Sequence, residues 1–162
     1  MVGSLEDIRK AKEYLNLAKE QLKERKQQFD EQIRIGIMIE IPAIALIADL
    51  AAEEVDFASI GSNDLTQYLS AADRMNPEVA AYYKSDSTAM LRLLGFVFRE
   101  FSKREKEISV CGEMAGNPET AQLLVGLGAR KLSMSSGNIA GVKAKLAECT
   151  LQELTALAEK KL

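Results

Sequence analysis

Apolar positions along this chain come in two spacings that alternate from one end to the other. In the first 26 residues, Leu5, Ile8, Leu15 and Leu22 keep one apolar side through a charged segment that ends near Lys26. Ser4 with Asp7 three residues later has the form of a capping box. Together these predict an amphipathic helix of about six turns. The stretch "IRIGIMIE", residues 33–40, is instead an apolar run, too short for a helix and without polar alternation, that stops at Glu40 before Ile41-Pro42. It predicts a strand buried on both faces. Pro42 suits the first turn of a helix continuing through "AIALIADLAAEE", and "FASIG" follows as a second apolar strand.

The same alternation continues. Asn76-Pro77-Glu78 opens a short helix, and "TAMLRLLGFVFREFSKREK" predicts a longer one with Leu91, Leu94, Val97, Phe98 and Phe101 on its inner side. "ISVCGE" is the third strand. Asn117-Pro118-Glu119 pairs an N-cap with a first-turn proline, and the helix it opens runs to Leu127 before Gly128 at a C-cap position. "KLSMS" is the fourth strand. Asn138 starts one further helix, and Thr150 with Glu153 forms a second capping box for the last, "LQELTALAEKKL".

A helix followed by four strand-helix units is an α/β chain with a parallel sheet, because parallel neighbours need a crossover connection. All 162 residues read as one domain. In such folds the chemistry gathers at the carboxyl ends of the strands. Glu40 ends the first strand, Asn63 and Asp64 follow the second, and Cys111 and Glu113 end the third.

Composition narrows the classes of chemistry. With 47% hydrophobic and 28% charged residues, the chain has material for one sizeable core and no disorder bias. The net charge of -3 and a pI near 5.2 argue against electrostatic wrapping of nucleic acid or an anionic membrane. No basic-then-apolar leader and no apolar run of about 18 residues is present, so the expected compartment is the cytoplasm. There is no histidine, and the two cysteines, Cys111 and Cys149, lie far apart. A usual zinc cluster, a Cys-His dyad and a Ser-His-Asp triad are excluded within this chain.

The groups that remain on the rim are hard oxygens, an amide, a guanidinium and a thiol. Glu40 and Asp64 could serve Mg²⁺, which usually takes one or two protein carboxylates and fills its octahedron with water and substrate phosphate. Glu40 reads equally as a helix-dipole partner beside Pro42, and Asp64 as a turn or cap. Arg74 could take a phosphate bidentately with Asn63 donating from its amide, or could pair locally with Asp73. Cys111 is either a buried inert thiol or a general acid giving a proton to a carbanion-like carbon, with Gly112 letting a ligand approach the backbone. Ser133, Ser135 and Ser136 could line the same rim or simply turn the strand into a loop. Cys149 carries no assigned role.

Taken together and in order, "GIMIEIP", "VDFASIGSNDLTQYLSAADR", "VCGEMAG" and "RKLSMSS" closely resemble the C-terminal part of the phosphoenolpyruvate-binding barrel of the Enzyme I family, the phosphoenolpyruvate-protein phosphotransferases of the bacterial sugar phosphotransferase system. The resemblance runs from about Ser4 to the C-terminus and covers about half of the family's barrel. It implies the C-terminal half of a (β/α)8 TIM barrel, four parallel strands alternating with helices plus the N-terminal helix. By position it implies Glu40 and Asp64 as magnesium ligands, Asn63 and Arg74 as phosphoenolpyruvate phosphate contacts, and Cys111 as the proton donor to the pyruvate enolate. The family reaction moves the phosphoryl group from phosphoenolpyruvate to a histidine on a separate domain, with Mg²⁺ neutralising charge in transit.

The chain departs from the family in places. "SDSTAMLR" replaces a segment that usually carries His-Pro, and "SGNIAGVKAKL" lacks a proline and a basic residue. Without the phosphohistidine domain and the preceding barrel strands, this is expected to be a half-site, inactive as an isolated chain. Four parallel strands cannot close a barrel, and an open half would expose barrel-lining apolar groups and two strand edges. The expected covers are the N-terminal half, a second copy in a homodimer, or the chain's own first helix. Pyruvate phosphate dikinase or phosphoenolpyruvate synthase shares the "SNDLTQ" and "CGE" pattern, and a non-catalytic oligomerisation module is the alternative of another class.

Overall fold

The first helix is set by its cap. In the computed structural model, which describes residues 1–162, Ser4 Oγ accepts from the Asp7 amide at 3.2 Å while Asp7 Oδ2 accepts from the Ser4 and Gly3 amides at 3.0 and 2.9 Å. These bonds hold the Asp7 carboxyl below the usual carboxylate range and start α1 (Leu5–Glu24). Ile8 is its one fully buried side chain. Arg9 and Lys12 reach Glu54 at 2.8 and 3.3 Å, and their hydrogen bonds hold the Glu54 carboxyl below its ordinary value.

Three strands, β1 (Gly36–Ile39), β2 (Phe57–Gly61) and β3 (Glu107–Cys111), form a parallel sheet in the order β1-β2-β3. Ile39, Ile60 and Val110 stand in register, as do Met38, Ser59 and Ser109. Because side chains alternate across a strand, these two rows lie on opposite faces. Ile37, Ile39, Ala58, Ile60 and Val110 are buried in the core against the helices. On the other face Met38 is 43% exposed, and Ser59, Ser109 and Cys111 are only partly covered. The expectation of a first strand buried on both faces therefore fails, since helices pack on one side of the sheet only. The open side is mostly small and polar, and less apolar than an exposed barrel lining was expected to be.

The fourth strand is reduced to a single parallel bridge between Val110 and Leu132. Val110 donates to the Lys131 carbonyl at 3.0 Å and accepts from the Ser133 amide at 2.8 Å. The ladder stops there because β3 ends one residue later, at Cys111, where Gly112 turns the chain away. The alternation of parallel strands and helices still stands, consistent with half of a TIM barrel.

The single helix expected over "AIALIADLAAEE" is two, α2 (Pro42–Leu46) and α3 (Ala48–Glu54), broken at Ile47 with ψ 32°. The break lets Ile44 and Ala45 face the core from one piece, and Ala48, Ala51 and Ala52 from the other. An unforeseen helix α4 (Ser62–Ser70) follows β2 at once. Asn76-Pro77 opens only one 3-10 turn, after which α5 (Thr88–Lys103) buries Met90, Leu91, Leu94, Val97, Phe98 and Phe101. Beyond β3 come a short α6 (Glu113–Gly116), then α7 (Pro118–Gly126), α8 (Ser136–Ala147) and α9 (Leu151–Glu159). Helix α8 begins two residues before the expected Asn138, with Ser135 at its cap position. The Thr150-Glu153 capping box forms in full. No helix is long and apolar enough to cross a membrane.

Helix α1 packs against α3, on the helical side of the sheet. It therefore does not close the open face, which removes one of the three expected covers. The last helix returns to α7, and Thr88 and Arg92 donate to the carbonyls of Lys161 and Leu162 at 3.0 and 2.6 Å. At the α7-α9 contact a Cβ on Gly126 would lie 2.2 Å from the Leu154 carbonyl oxygen. Backbone atoms cannot rotate out of the way. Gly126→Ala should thus cost about 2 kcal/mol, read in thermal melts as a fall in Tm of roughly 4–8 °C.

Candidate active site

Three chain reversals meet at the carboxyl edge of the sheet. Gly61 closes β2, and a side chain there would lie 3.0 Å from Glu40 Cβ and 3.1 Å from Met38 Sδ. The missing side chain is what lets Glu40 sit across the strand end, next to the position that pairs with Cys111. Glu40 itself is half-buried, with no ion pair and no side-chain hydrogen bond, so its oxygens are free.

Two bonds tie the start of α4 to the end of β3. Ser62, buried, donates to the Cys111 carbonyl at 2.7 Å, and Asn63 Oδ1 accepts from the Glu113 amide at 3.0 Å. Between them stands Gly112 with φ 100° and ψ -173°, a conformation essentially restricted to glycine. A Cβ on Gly112 would lie 2.5 Å from Ser62 Oγ and 2.8 Å from Asn63 Oδ1. Because the Asn63 oxygen is committed to Glu113, its amide nitrogen is left as an unpaired donor.

Asn63 and Cys111 line one open cavity of about 390 Å³, together with Glu113, Ser133, Ser135 and Asn138 among others. The Cys111 thiol lies 3.3 Å from the Ile60 carbonyl, to which it donates, and 3.7 Å from the Ser59 hydroxyl, from which it accepts. Of the rim serines, Ser133 and Ser135 line this cavity, whereas Ser136 opens α8.

Asp64 and Arg74 form a pair of their own. Asp64 lies in the first turn of α4, and its Oδ1 is 3.1 Å from Arg74 Nη1. The local alternative, Arg74 with Asp73, is not formed: Asp73 Oδ1 instead accepts from the Met75 amide at 2.9 Å, an Asx-turn. The Arg74 amide donates to Gln67 Oε1 at 3.1 Å, anchoring the returning chain to α4. The structure thus brings Asn63 and Cys111 into one cavity, Asp64 and Arg74 into one ion pair, and Glu40 beside the β2 end. No group of three or more His, Cys, Asp or Glu side chains converges as a ready metal cage.

One group escaped the sequence reading. The Tyr83 hydroxyl donates to the Asn63 carbonyl at 3.2 Å. Burial raises its phenol above the ordinary range, with Glu113 and Asp64 adding to the rise and Arg74 opposing it. Tyr83 sits in an irregular segment, where periodicity carries no signal, and its neighbour Tyr82 is 70% exposed.

Residues 1–151 match the family model for the PEP-utilising enzyme, PEP-binding domain. The chain belongs to this family. It is 44% identical over 153 residues to the Multiphosphoryl transfer protein 2 of Escherichia coli strain K12, which covers 94% of this chain and 18% of that protein. It is 40% identical over 154 residues to a phosphoenolpyruvate-protein phosphotransferase of Priestia megaterium, and 40% identical over 160 residues to that of Bacillus subtilis strain 168. These matches span 95% and 99% of this chain but only 27% and 28% of the two relatives. The chain thus spans between 18% and 28% of the length of these relatives.

The Gly112 turn can be tested directly. Gly112→Ala is expected to destabilise the chain by about 1–3 kcal/mol and to displace the amide NMR signals of Ser62, Asn63 and Glu113. An unchanged melting curve with those signals in place would mean that the turn tolerates a side chain.

Proposed function

We propose that this chain is part of the phosphoenolpyruvate-binding domain of a phosphoenolpyruvate-protein phosphotransferase of the sugar phosphotransferase system. That enzyme is a cytoplasmic transferase moving a phosphoryl group from phosphoenolpyruvate to a histidine on another domain. The observation that carries the reading is the cavity shared by Asn63 and Cys111, with the Asn63 oxygen held by the Glu113 amide. An amide donor for an anion and a thiol for a proton stand at the same opening. Family membership supports the substrate, and the relatives named phosphoenolpyruvate-protein phosphotransferase support the reaction.

In this reading Asn63 and Arg74 bind the substrate phosphate. In the free chain Arg74 rests on Asp64, so each charge is already compensated before ligand arrives. Glu40, with free oxygens, and Asp64, released as Arg74 turns to phosphate, would hold Mg²⁺. These two hard carboxylates fit an ion that takes few protein ligands. When bound, the ion neutralises phosphate charge during transfer. Cys111 completes the reaction by giving its proton to the enolate carbon: the S–H bond breaks, a C–H bond forms, and pyruvate and a thiolate result. No histidine in this chain can accept the phosphoryl group, so the partners are a phosphohistidine domain and the remaining barrel, with a second copy in a dimer.

Isothermal titration calorimetry with phosphoenolpyruvate and Mg²⁺ tests the reading. Arg74→Ala and Asn63→Ala should each weaken binding by about 10- to 100-fold, the loss expected for a hydrogen bond to a charged group. Glu40→Gln should weaken the dependence on Mg²⁺, and the isolated chain should release no pyruvate. Binding indifferent to Arg74→Ala would leave a scaffold that ignores phosphoenolpyruvate.

A further inference from the structure

The segment from Ala71 to Ser87 joins α4 to α5 and contains only one 3-10 turn, Pro77–Val79. It carries Arg74 near its start and Tyr83 near its end. Few bonds hold it to the body. The Arg74 amide is on Gln67 Oε1, Arg74 Nη1 is on Asp64, and the Tyr83 hydroxyl is on the Asn63 carbonyl. These three anchors lie on α4, as does the bond of the Ala72 amide to the Gln67 carbonyl at 3.1 Å, while Asp86 pairs with Lys161 at 3.5 Å at the far end; two of the anchors, Asn63 and Asp64, are the residues assigned to phosphate and metal. A tyrosine hydroxyl that only filled space would not need to reach the backbone of a site residue, and its neighbour Tyr82 stays in solvent.

We propose that Tyr83 is a positioning residue, whose hydroxyl latches the 71–87 segment to the first turn of α4 and so holds Arg74 over the phosphate position. The proposal rests on the phosphate-binding reading of Asn63 and Arg74. The Ala72 amide is bonded to the Gln67 carbonyl at 3.1 Å at one end and the Tyr83 hydroxyl to the Asn63 carbonyl at the other, with Arg74 between them and its own amide on Gln67 Oε1. With the latch released, the Arg74 guanidinium keeps only its partly exposed pair with Asp64, an interaction that water and salt weaken. Asn63 is affected as well, since Tyr83 bonds its carbonyl while its side-chain oxygen is bonded to Glu113. The electrostatic influence of Arg74, Asp64 and Glu113 on the phenol is consistent with its place among them.

The test uses Tyr83→Phe, which keeps the ring and removes the hydroxyl, with two readouts. Amide hydrogen exchange without ligand should quicken about tenfold across residues 73–87 and leave the β2 and α5 amides unchanged. In a titration with phosphoenolpyruvate and Mg²⁺, affinity should fall about fivefold to tenfold, and the loss should vanish in an Arg74→Ala background. Unchanged exchange, equal acceleration throughout the core, or a full additive loss in the Arg74→Ala background would each overturn the latch. If the unsubstituted chain binds no phosphoenolpyruvate, the phosphate reading fails by itself, and the exchange experiment still decides whether Tyr83 holds the segment.

Discussion

The arrangement at the carboxyl edge depends on one hydrogen bond, from the Glu113 amide to Asn63 Oδ1, and on the glycine that permits it. Gly112 lacks the Cβ that would strike Ser62 Oγ and Asn63 Oδ1, so the ends of β2 and β3 approach closely enough for side chain and backbone to join. The bond has a direction, and that direction gives the site its character. By using the oxygen of the amide it leaves the nitrogen free to donate at the cavity that Asn63, in the first turn of α4, shares with Cys111. A carboxylate at position 63 would keep the bond and lose the donor.

Around that joint, charges are compensated within the chain. Arg74 is neutralised by Asp64, so neither stands unpaired at the rim. Glu40 stays without a partner and half-buried, which is tolerable only because part of its surface still meets water. The sheet follows the same economy. Its helical face is a continuous apolar core, whereas the uncovered face presents Met38 among serines and a thiol, groups that can stand in water or against another layer. A parallel sheet covered by helices on one face only is consistent with half of a TIM barrel.

What the sequence revealed was local. Ser4 with Asp7 and Thr150 with Glu153 were legible as caps because all their partners lie within four residues. Gly128, at φ 116°, closes the turn after α7 for the same reason. The strands were legible from apolar runs, but a run such as Ile35 to Ile39 reports hydrophobicity without saying what covers it, and Met38 is exposed because nothing packs there. The break at Ile47 and the shrinking of the fourth strand to one bridge leave no mark in the pattern of apolar positions. At the site, the adjacency of Asp73 and Arg74 pointed to the wrong pair, since Asp64 lies ten positions away and one helical layer back. Tyr83 was silent because its only signal is a contact across twenty residues.

Asn63 and Cys111 open onto one cavity, which we propose binds an anion. This proposal is tested most directly by a two-dimensional amide NMR titration of the chain with phosphoenolpyruvate, with and without Mg²⁺. Saturable, magnesium-dependent shifts are expected that begin at Asn63, Asp64, Cys111 and Glu113 and leave α1 and α9 untouched. A well-dispersed spectrum in which those four signals do not move at saturating ligand, or move equally with chloride, would contradict it.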